Sequence, residues 1–489
     1  MQRRFLTGLE VECQTFGARE GTRESVQSTS LAFLEEISRL CPSLRGETGV
    51  FLPYGKVLVD CDHVELATCE ADSPEGLVRV LESLMELSRR ACRKLAAAGT
   101  PLRLANNNHA GVLKGDAPSW GTHENIATPT DPVQLEALAL PFLVTRLYAG
   151  AGGVLHPTGA YVAGVRPYLM KRASGGDTTR QRAIHSTCRR ESLGGRSVGL
   201  HRYHLLVGDG KRCQYGVALT AGATMLAVAA MVHDRELAAN VAAVMPKPIG
   251  RSWCRTIQAF HRLAGPGRPL RVRSEVIDVQ EVYLEAARRF VARLGESAPA
   301  WTWVTLRRWA DTLRAFRTGD LDWLRERLDP FAKHELFAAT LGARGVRLSN
   351  VRGNDDSFAR LSLIDHSWHE FTDDESAFAE WDARGMLNHR VVDSLDPGDE
   401  SDPWIPAVET RARPRARFLV ENASKKRHIM SWTRATDRRT GATWPLLDPF
   451  ATSYGPEEAL PPDETPGGID RLLDRLRRRM EAGEDEPPF

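Results

Sequence analysis

Residues 4–13, close to the N-terminus, alternate apolar and polar side chains with the two-residue period of a β-strand. Leu9 and Val11 face one side of this predicted strand, and Glu10 and Glu12 face the other. Side chains two residues apart on a strand lie about 7 Å from each other, so these carboxylates repel unless a cation lies between them or their pKa values rise. Any fold of this chain must therefore either expose an acidic strand face to water or neutralise it.

A second acidic segment favours neutralisation by a metal ion. Asp60 ends a predicted strand at residues 56–60, and four more polar residues follow within ten positions: Asp62, His63, Glu65 and Glu70. Mg²⁺ prefers oxygen ligands and commonly binds carboxylates together with substrate phosphates. Asp60 and Glu65 are the stronger candidates, because a carboxylate beside apolar residues needs a partner. A single histidine such as His63 is more typical of a structural residue than of a ligand.

Composition excludes several classes of protein. The 489 residues carry 65 Lys and Arg against 63 Asp and Glu, a net charge of +2, whereas general nucleic-acid or membrane-surface binders are usually more basic. The longest apolar run, residues 219–232, is too short and too interrupted to span a bilayer and predicts a buried helix. The first residues contain no apolar segment of signal-peptide length, so we expect a cytoplasmic protein.

Common catalytic signatures are also missing from the sequence. The eight cysteines form no C-x-x-C pair, which argues against a disulfide scaffold and a zinc site. We find no P-loop, no Rossmann fingerprint after a strand and no G-x-S-x-G element. The chemistry therefore has to come from the acidic segments and from polar loops such as residues 106–108 and 119–125.

The patterns predict three parts. Mixed strand and helix signals fill the first 250 residues, and a helical pattern follows from about 270 to 345. An acidic, proline-rich boundary at 392–406 precedes a predicted hairpin with strands near 429–435 and 442–447. We place domains at 1–400 and 401–455, and a linker with an amphipathic terminal helix at 456–489. That helix, with its apolar face of Ile469, Leu472, Leu473 and Leu476, either docks on its own domain or binds a partner.

Short motifs along residues 1–450 occur in an order that resembles one known family. In chain order they are GLEVE at 8–12, GKVLVD at 55–60, HVE at 63–65, NN at 106–107, GTHEN at 121–125, PFLVTR at 141–146, TTR at 178–180 and HLLVGD at 204–209. Weaker matches follow at 363–369, 410–415 and 448–450. By these motifs, and most specifically by GTHEN with PFLVTR, the chain is similar to the Pup ligase and Pup deamidase/depupylase family.

The resemblance implies an α+β fold. The large domain would be glutamine synthetase-like, with a curved antiparallel β-sheet cradling ATP and Mg²⁺ and with packed helices, and a small C-terminal domain would follow. It also implies an ATP-dependent carboxylate–amine ligase that forms an isopeptide bond. In this chemistry ATP phosphorylates a C-terminal glutamate of a small protein or peptide modifier such as Pup, and a lysine amine of a target protein displaces the phosphate. Nucleic acid and membrane are not expected partners.

Carried over to matching positions, the resemblance implies roles for ten residues. The implied Mg²⁺ ligands are Glu10, Glu12, Glu65 and Glu70. Asp60 would be the catalytic residue that orients or deprotonates the incoming nucleophile. The implied nucleotide-binding residues are Asn106, His123 and Asn125, together with Arg202 and Arg415, which would meet phosphates or the acyl phosphate.

The chain departs from the family pattern where nucleotide and acyl substrate should meet. Leu58 replaces a tyrosine, Ala105 replaces a lysine, and residues 186–191 and 210–214 lack the acidic and polar motifs of the family. ATP and Mg²⁺ are therefore better supported than Pup itself as substrate.

Two alternatives remain open. One is an amidase or isopeptidase of the same fold. The other is a catalytically silent binding protein in which Arg189, Arg190, Lys211 and Arg212 recruit an acidic partner. The short stretch between Glu12 and Tyr54, residues 13–53, resembles the ligase branch and favours ligation.

Overall fold

The computed structural model describes residues 4–17, 23–60, 63–109, 119–155, 158–176, 182–187, 199–265, 270–352, 356–393, 395, 402–425 and 427–453. The strands are β1 Thr7–Phe16, β2 Leu44–Arg45, β3 Val50–Leu52, β4 Gly55–Asp60, β5 His63–Thr68, β6 Arg103–Ala105, β7 Thr122–Thr128, β8 Gly153–Leu155, β9 Ala160–Val162, β10 Arg172–Ser174, β11 Ala183–Ser186, β12 His201–Leu205, β13 Arg262–Ala264, β14 His428–Met430, β15 Arg434–Asp437 and β16 Thr443–Pro445. The helices are α1 Arg23–Leu40, α2 Pro74–Ala97, α3 Pro132–Thr145, α4 Arg166–Leu169, α5 Gln214–His233, α6 Leu237–Val244, α7 Trp253–His261, α8 Ser274–Leu294, α9 Ala300–Thr318, α10 Leu321–Arg325, α11 Asp329–Gly342, α12 Asp356–His369, α13 Ala377–Ala383 and α14 Ala412–Asn422.

One ten-stranded sheet organises the large part of the molecule. Its strand order is β10-β11-β12-β7-β1-β5-β4-β3-β2, and β6 pairs with the far end of β1. The pair β10–β11 is parallel and the other pairs of this sheet are antiparallel. The predicted α+β class with a large antiparallel sheet is confirmed.

The central strand β1 has the two faces that its sequence predicts. Leu9, Val11 and Cys13 are buried in a core with apolar residues of β4, β5 and α2. Glu10 and Glu12 project from the opposite face and are only partly buried. One side of the sheet is therefore the hydrophobic core, and the other side is free to form a polar site.

Local helix signals act as the sequence predicts. Ser73 caps α2 by accepting a hydrogen bond from the Gly76 N–H, and Pro74 takes the first helical position. Asp131 caps α3 in the same way through the Val133 N–H. The helical pattern of residues 270–345 becomes α8 to α11, with Trp309 fully buried. Capping and periodicity are local, so the sequence is enough to predict these elements.

Helix α5 is apolar nearly all round and lies in the core, where it contacts α2, α8 and α9. It is long and apolar enough to cross a membrane by length and composition, and 94% of its apolar window is buried inside the protein. Thr224 of α5 and Arg146 both donate hydrogen bonds to the buried Glu124 carboxylate of β7. The Glu124–Arg146 ion pair holds β7 against the core on the face opposite Glu10 and Glu12.

The C-terminal part combines α14 with a three-stranded sheet, β14-β15-β16. The sequence predicts a single hairpin here, and that prediction is one strand short. The Ser431 N–H donates to the Arg434 carbonyl and its Oγ accepts from the Thr433 N–H, so a turn divides the first predicted strand in two. This sheet shares a small apolar core with Leu44 and Phe51 of the large sheet. The domain boundaries at 400 and 455 stay predictions.

Some sequence predictions fall outside the residues that the structure describes. They concern Asp62, the motif at 178–180, the substitutions at 188–191 and the amphipathic segment at 456–489.

Candidate active site

Strand register brings the N-terminal carboxylates together on the open face of the sheet. Glu12 pairs directly with Glu65 of β5, and Glu10 pairs with His123 of β7 on its other side. Residues opposite each other in an antiparallel pair project from the same face. The predicted convergence of acidic residues from two strands is therefore present in the geometry: Glu10, Glu12 and Glu65 share one surface.

The same face continues across β7 and β12. Asn125 lies opposite His204, and its Oδ1 accepts from Arg202 Nε at 2.6 Å and lies 2.8 Å from His204 Nδ1. Arg202 also forms a partly buried ion pair with Glu10, whose other oxygen lies 3.9 Å from His204 Nε2. Four predicted site residues therefore form one connected group: Glu10, His123, Asn125 and Arg202.

Strand β4 lies next to β5 and extends the face that carries Glu10, Glu12 and Glu65. Asp60, the last residue of β4, pairs with His63, the first residue of β5, and the Asp60 side chain is exposed. Leu58 lies directly opposite Glu65. The substitution of the family tyrosine therefore places an apolar side chain next to a carboxylate of the site.

A close backbone approach holds Glu12 in place. The Gly121 N–H donates to Glu12 Oε2 at 2.7 Å, and the Glu12 N–H donates to the Gly121 carbonyl at 3.0 Å. A Cβ at position 121 would meet the Arg166 guanidinium carbon at 2.7 Å. Arg166 Nη1 lies 3.4 Å from Glu12 Oε2, and Nη2 lies 3.2 Å from His123 Nε2. Glycine at 121 is therefore required for this guanidinium to reach the site.

The electrostatic surroundings hold Glu10 and Glu12 in the charged form. Burial alone would raise the pKa of Glu10, but the hydrogen bond from His123 and the charge of Arg202 hold it well below its ordinary range. Burial would likewise raise the pKa of Glu12, and His123 and Arg166 lower it more strongly. Both side chains are thus ionised, and neighbouring guanidinium groups already offset part of their charge.

Glu65 has the opposite environment. Burial first, and then the charges of Glu10, Glu12 and Asp60, raise the pKa of Glu65 well above its ordinary value, and Lys56 offsets only part of this. Negative charge is therefore in excess around this carboxyl group. A divalent cation here would relieve the excess.

The donor atoms form two groups that could each hold a cation. One group is Glu10, His123 and His204, and the other is Glu12, His63 and Glu65. Within each group the ligand atoms all lie within 4.8 Å of one another. The oxygen and imidazole donors fit a divalent ion, and Nε2 of His63 is buried without a hydrogen-bond partner among the residues that the structure describes.

Asn106 does not join this face. Its side chain is buried, donates to the Lys211 carbonyl at 3.0 Å and lies 3.1 Å from His369 Nδ1. His369 Nε2 in turn lies 3.0 Å from Nζ of Lys333, a fully buried lysine that pairs with Asp365. Asn106 is thus part of a buried polar network under α12.

Glu70 and Arg415 form an ion pair with each other and do not join the group of Glu10, Glu12 and Glu65. Glu70 binds the guanidinium groups of both Arg411 and Arg415, and Arg415 stacks on Trp432 with 4.9 Å to the ring centroid. Arg411 also donates to the Leu446 carbonyl. These contacts join the end of β5 to α14 and the small sheet. The metal role of Glu70 and the phosphate role of Arg415 stay predictions that require this ion pair to open.

The ion pairs of Glu70 with Arg411 and Arg415 predict that acid weakens the contact between the end of β5 and α14. Burial would raise the pKa of Glu70, but Arg415 and Arg411 lower it from 4.5 to about 2. A depressed folded-state pKa stabilises the fold above the unfolded value, and this contribution disappears as pH falls from about 4.5 towards 2. The shift corresponds to about 3 kcal/mol. We expect Glu70→Gln to lower the free energy of unfolding at pH 7 by about this amount and to flatten its pH dependence below pH 5.

Urea unfolding between pH 7 and pH 3 measures both effects. Glu409→Gln is the matched control, because Glu409 pairs with Arg413 in the same region but is exposed, and it should change stability by less than about 1 kcal/mol. Equal pH slopes for the Glu70 variant and the unchanged protein would contradict the prediction.

Two basic residues assigned to partner recruitment make contacts within the fold. Lys211 is buried, and its Nζ lies within 3.5 Å of the Ala149 carbonyl. The Arg212 guanidinium stacks 4.5 Å from the Phe378 ring centroid and donates to the Trp368 carbonyl. The prediction that Lys211 attracts an acidic partner is wrong, because its side chain is buried, whereas Arg212 is half-buried and its role stays a prediction. Arg189 and Arg190 lie outside the described residues.

Sequence reasoning missed three contributors. Alternation along residues 201–205 would have put His204 on the same face as Arg202, so this residue could have been found from its period. His63 lies on the same face as Glu65 by the same alternation, but as a single histidine it was interpreted as a structural residue. Arg166 begins a four-residue helix and reaches the site across long sequence distances, so no local signal marks it.

Comparison with known proteins gives the family. The Pup-ligase protein family model matches residues 12–436. The Pup–protein ligase of Acidimicrobium ferrooxidans is 29% identical over 428 residues, covering 83% of this chain and 87% of that protein. The Pup–protein ligase of Kocuria rhizophila is 27% identical over 458 residues, covering 86% and 91%.

Solved structures share the fold. A crystal structure of the complex between the prokaryotic ubiquitin-like protein Pup and its ligase PafA matches with a TM-score of 0.69 at 20% identity, covering 97% of this chain and 93% of that one. The Pup ligase PafA in complex with ADP matches with a TM-score of 0.65, covering 95% and 96%. The family model matches most of the sequence, including strands of the sheet that carries the acidic residues. This match shows that the chain belongs to the Pup-ligase protein family.

Proposed function

We propose that this protein is an ATP- and Mg²⁺-dependent ligase that joins a carboxylate of a small protein or peptide modifier, Pup or a Pup-like chain, to a lysine amine of a target protein. Family membership supports this activity, as do the names of the similar Pup–protein ligases. The PafA complexes with Pup and with ADP support the same substrate classes.

The observation that carries the proposal is the convergence of Glu10, Glu12 and Glu65 on the open face of an antiparallel sheet. Such a face fits the polyphosphate of a nucleotide only if cations lie between the two sets of negative charge. The excess negative charge around Glu65 fits this requirement. Bound Mg²⁺ would supply charge neutralisation for the transferring phosphoryl group.

The reaction then takes two transfers. An oxygen of the modifier carboxylate bonds to the γ-phosphorus, the bond to ADP breaks, and an acyl phosphate forms. The lysine amine next attacks the acyl carbon, phosphate leaves, and the amine loses its proton. Asp60, exposed at the open end of β4 beside Glu65, is suited to take that proton. Arg202 is suited to hold the anionic oxygens of the acyl phosphate, since its guanidinium already lies on this face.

The nucleotide is assigned to the β7 and β12 side of the face. His123 and Asn125 lie there beside Arg202 and carry hydrogen-bonding side chains. Asn106 and Arg415 stay predictions as nucleotide-binding residues, because their side chains bind partners outside this face, in the network under α12 and in the ion pair with Glu70. The apolar Leu58 beside Glu65 supports an altered acyl or amine substrate rather than an altered metal site.

The decisive experiment supplies the protein with ATP, Mg²⁺, Pup ending in glutamate and a lysine-bearing target protein. We expect ADP formation that requires Pup, and a conjugate heavier than the target by the mass of Pup less one water. Cleavage of a preformed conjugate without net ATP consumption would identify the hydrolase alternative. Absence of Mg²⁺–ATP binding by calorimetry would identify the silent binding protein.

A variant of the metal face tests the site itself. Glu65→Gln should reduce Pup-dependent ADP formation by about 100-fold, since losing one group that stabilises transition-state charge commonly has an effect of this size. Thermal stability without divalent ions should not fall, because a neutral amide removes repulsion with Glu10 and Glu12. Glu285→Gln, on an exposed face of α8, is the control and should leave ADP formation unchanged. Full activity of the Glu65 variant would exclude this carboxylate from the metal site.

A further inference from the structure

We propose that His63 is a direct metal ligand, and that its imidazole makes the Glu12–His63–Glu65 group selective for Mn²⁺ over Mg²⁺. The inference rests on the metal site of the proposed function and adds to it a nitrogen donor and a metal preference. It concerns binding of the metal alone, so it can be tested without any acid, amine or nucleotide.

The position of His63 follows from strand geometry. His63 and Glu65 are two residues apart on β5, so both project from the face that carries Glu12. Glu12 pairs with Glu65 across the β1–β5 ladder. The three ligand atoms, one from each side chain, all lie within 4.8 Å of one another. One cation can therefore contact all three after small side-chain movements.

The hydrogen-bonding state of His63 points to the same role. Its Nε2 is buried and has no hydrogen-bond partner among the residues that the structure describes. A buried polar atom without a partner costs free energy, so such an atom is usually satisfied by something that binds. The adjacent carboxylates of Glu12 and Glu65 attract positive charge to this point.

The neighbouring group provides a contrast within the same face. There Glu10 forms an ion pair with Arg202, and His204 Nδ1 lies 2.8 Å from Asn125 Oδ1. That carboxylate already has a protein cation as partner. In the other group Glu12 lies 3.4 Å from Arg166 Nη1, but Glu65 makes no ion pair among the described residues, so the Glu12–His63–Glu65 group is where the first metal ion should bind.

The donor set determines the metal preference. Mg²⁺ binds oxygen almost exclusively and keeps several waters, whereas divalent first-row transition ions also accept imidazole, and Mn²⁺, although the weakest binder of that series, accepts it more readily than Mg²⁺ does. Two carboxylates with one imidazole therefore favour Mn²⁺. Replacing the imidazole with a carboxylate should reverse that preference.

The experiment measures binding of Mn²⁺ and Mg²⁺ separately to the full-length protein by calorimetry. His63→Ala should weaken Mn²⁺ binding by at least about tenfold, since even outer partners of metal ligands contribute about 10–100-fold, while Mg²⁺ binding changes much less. His63→Asp should shift the ratio of affinities towards Mg²⁺. His201→Ala is the control, because His201 lies at the edge of β12 beside Asp131 and outside both donor groups.

Electron spin-echo spectroscopy of substoichiometric Mn²⁺ gives an independent readout. The nitrogen modulation typical of a coordinated imidazole should be present in the unchanged protein and in His201→Ala, and should be lost in His63→Ala. Retained nitrogen modulation in His63→Ala, or an unchanged ratio of Mn²⁺ to Mg²⁺ affinity in both His63 variants, would overturn the proposal. Because no substrate is present, these results do not depend on whether the protein ligates Pup.

Discussion

Asp60→Asn is expected to reduce conjugate formation by about 100- to 10,000-fold, the usual contribution of a general base. Phosphoryl transfer to the modifier should survive, because Asp60 is assigned to the amine and not to the nucleotide. Trapping with hydroxylamine separates the two steps: the variant should still convert Pup to a hydroxamate with release of ADP. The side chain is exposed at the end of β4, so the fold should tolerate the change.

The control for this variant is Asp322→Asn, an equally conservative change at an exposed position of α10. It should conjugate at the full rate. If Asp60→Asn lost hydroxamate and conjugate to the same degree, Asp60 would belong to the phosphoryl-transfer step. If it conjugated at the full rate, Asp60 would have no part in the reaction.

Lys333→Met is expected to destabilise the protein by about 3–5 kcal/mol, the usual effect of removing one partner of a buried ion pair. Lys333 is 0% exposed, pairs with Asp365 and contacts His369. Without it the carboxylate of Asp365, whose other oxygen lies 3.1 Å from His109 Nε2, stays buried with insufficient positive charge. Urea unfolding measures the loss.

A double variant tests the electrostatic origin of this loss. Lys333→Met with Asp365→Leu removes both charges and should recover much of the stability, because an apolar pair of similar volume often replaces a buried ion pair at little cost. Lys94→Met, at an exposed lysine, should change stability by less than about 0.5 kcal/mol. A double variant as unstable as Lys333→Met alone would show that packing, and not charge, accounts for the effect.

The sequence predicts well those features that depend on neighbouring residues. The caps at Ser73 and Asp131, the apolar stripe of α2 and the two faces of β1 each follow from a period or a capping residue. The division of the hairpin at Ser431 was missed, because a short turn inside a strand-like run leaves the overall composition unchanged.

The site can be predicted only in part from the sequence, because it depends on contacts between residues that are far apart in the chain. Glu70 and Arg415 were assigned to different parts of the active site, yet they pair with each other across 345 positions of sequence. Asn106 follows a strand, as the pocket prediction requires, but His369 lies 263 positions away and binds its side chain. Neither partner can be inferred from spacing, since only the tertiary fold brings such residues together.

The buried Glu124–Arg146 pair has a consequence for how the protein reaches its native state. Side chains on a strand alternate with a period of two, so a slip of β7 by one residue would exchange its two faces. Glu124 would then lose Arg146, and His123 would enter the hydrophobic core. The misaligned chain would leave the Arg146 guanidinium buried without its carboxylate, which costs free energy. An ion pair on the opposite side of the sheet thereby favours the alignment in which His123 shares a face with Glu10 and Glu12.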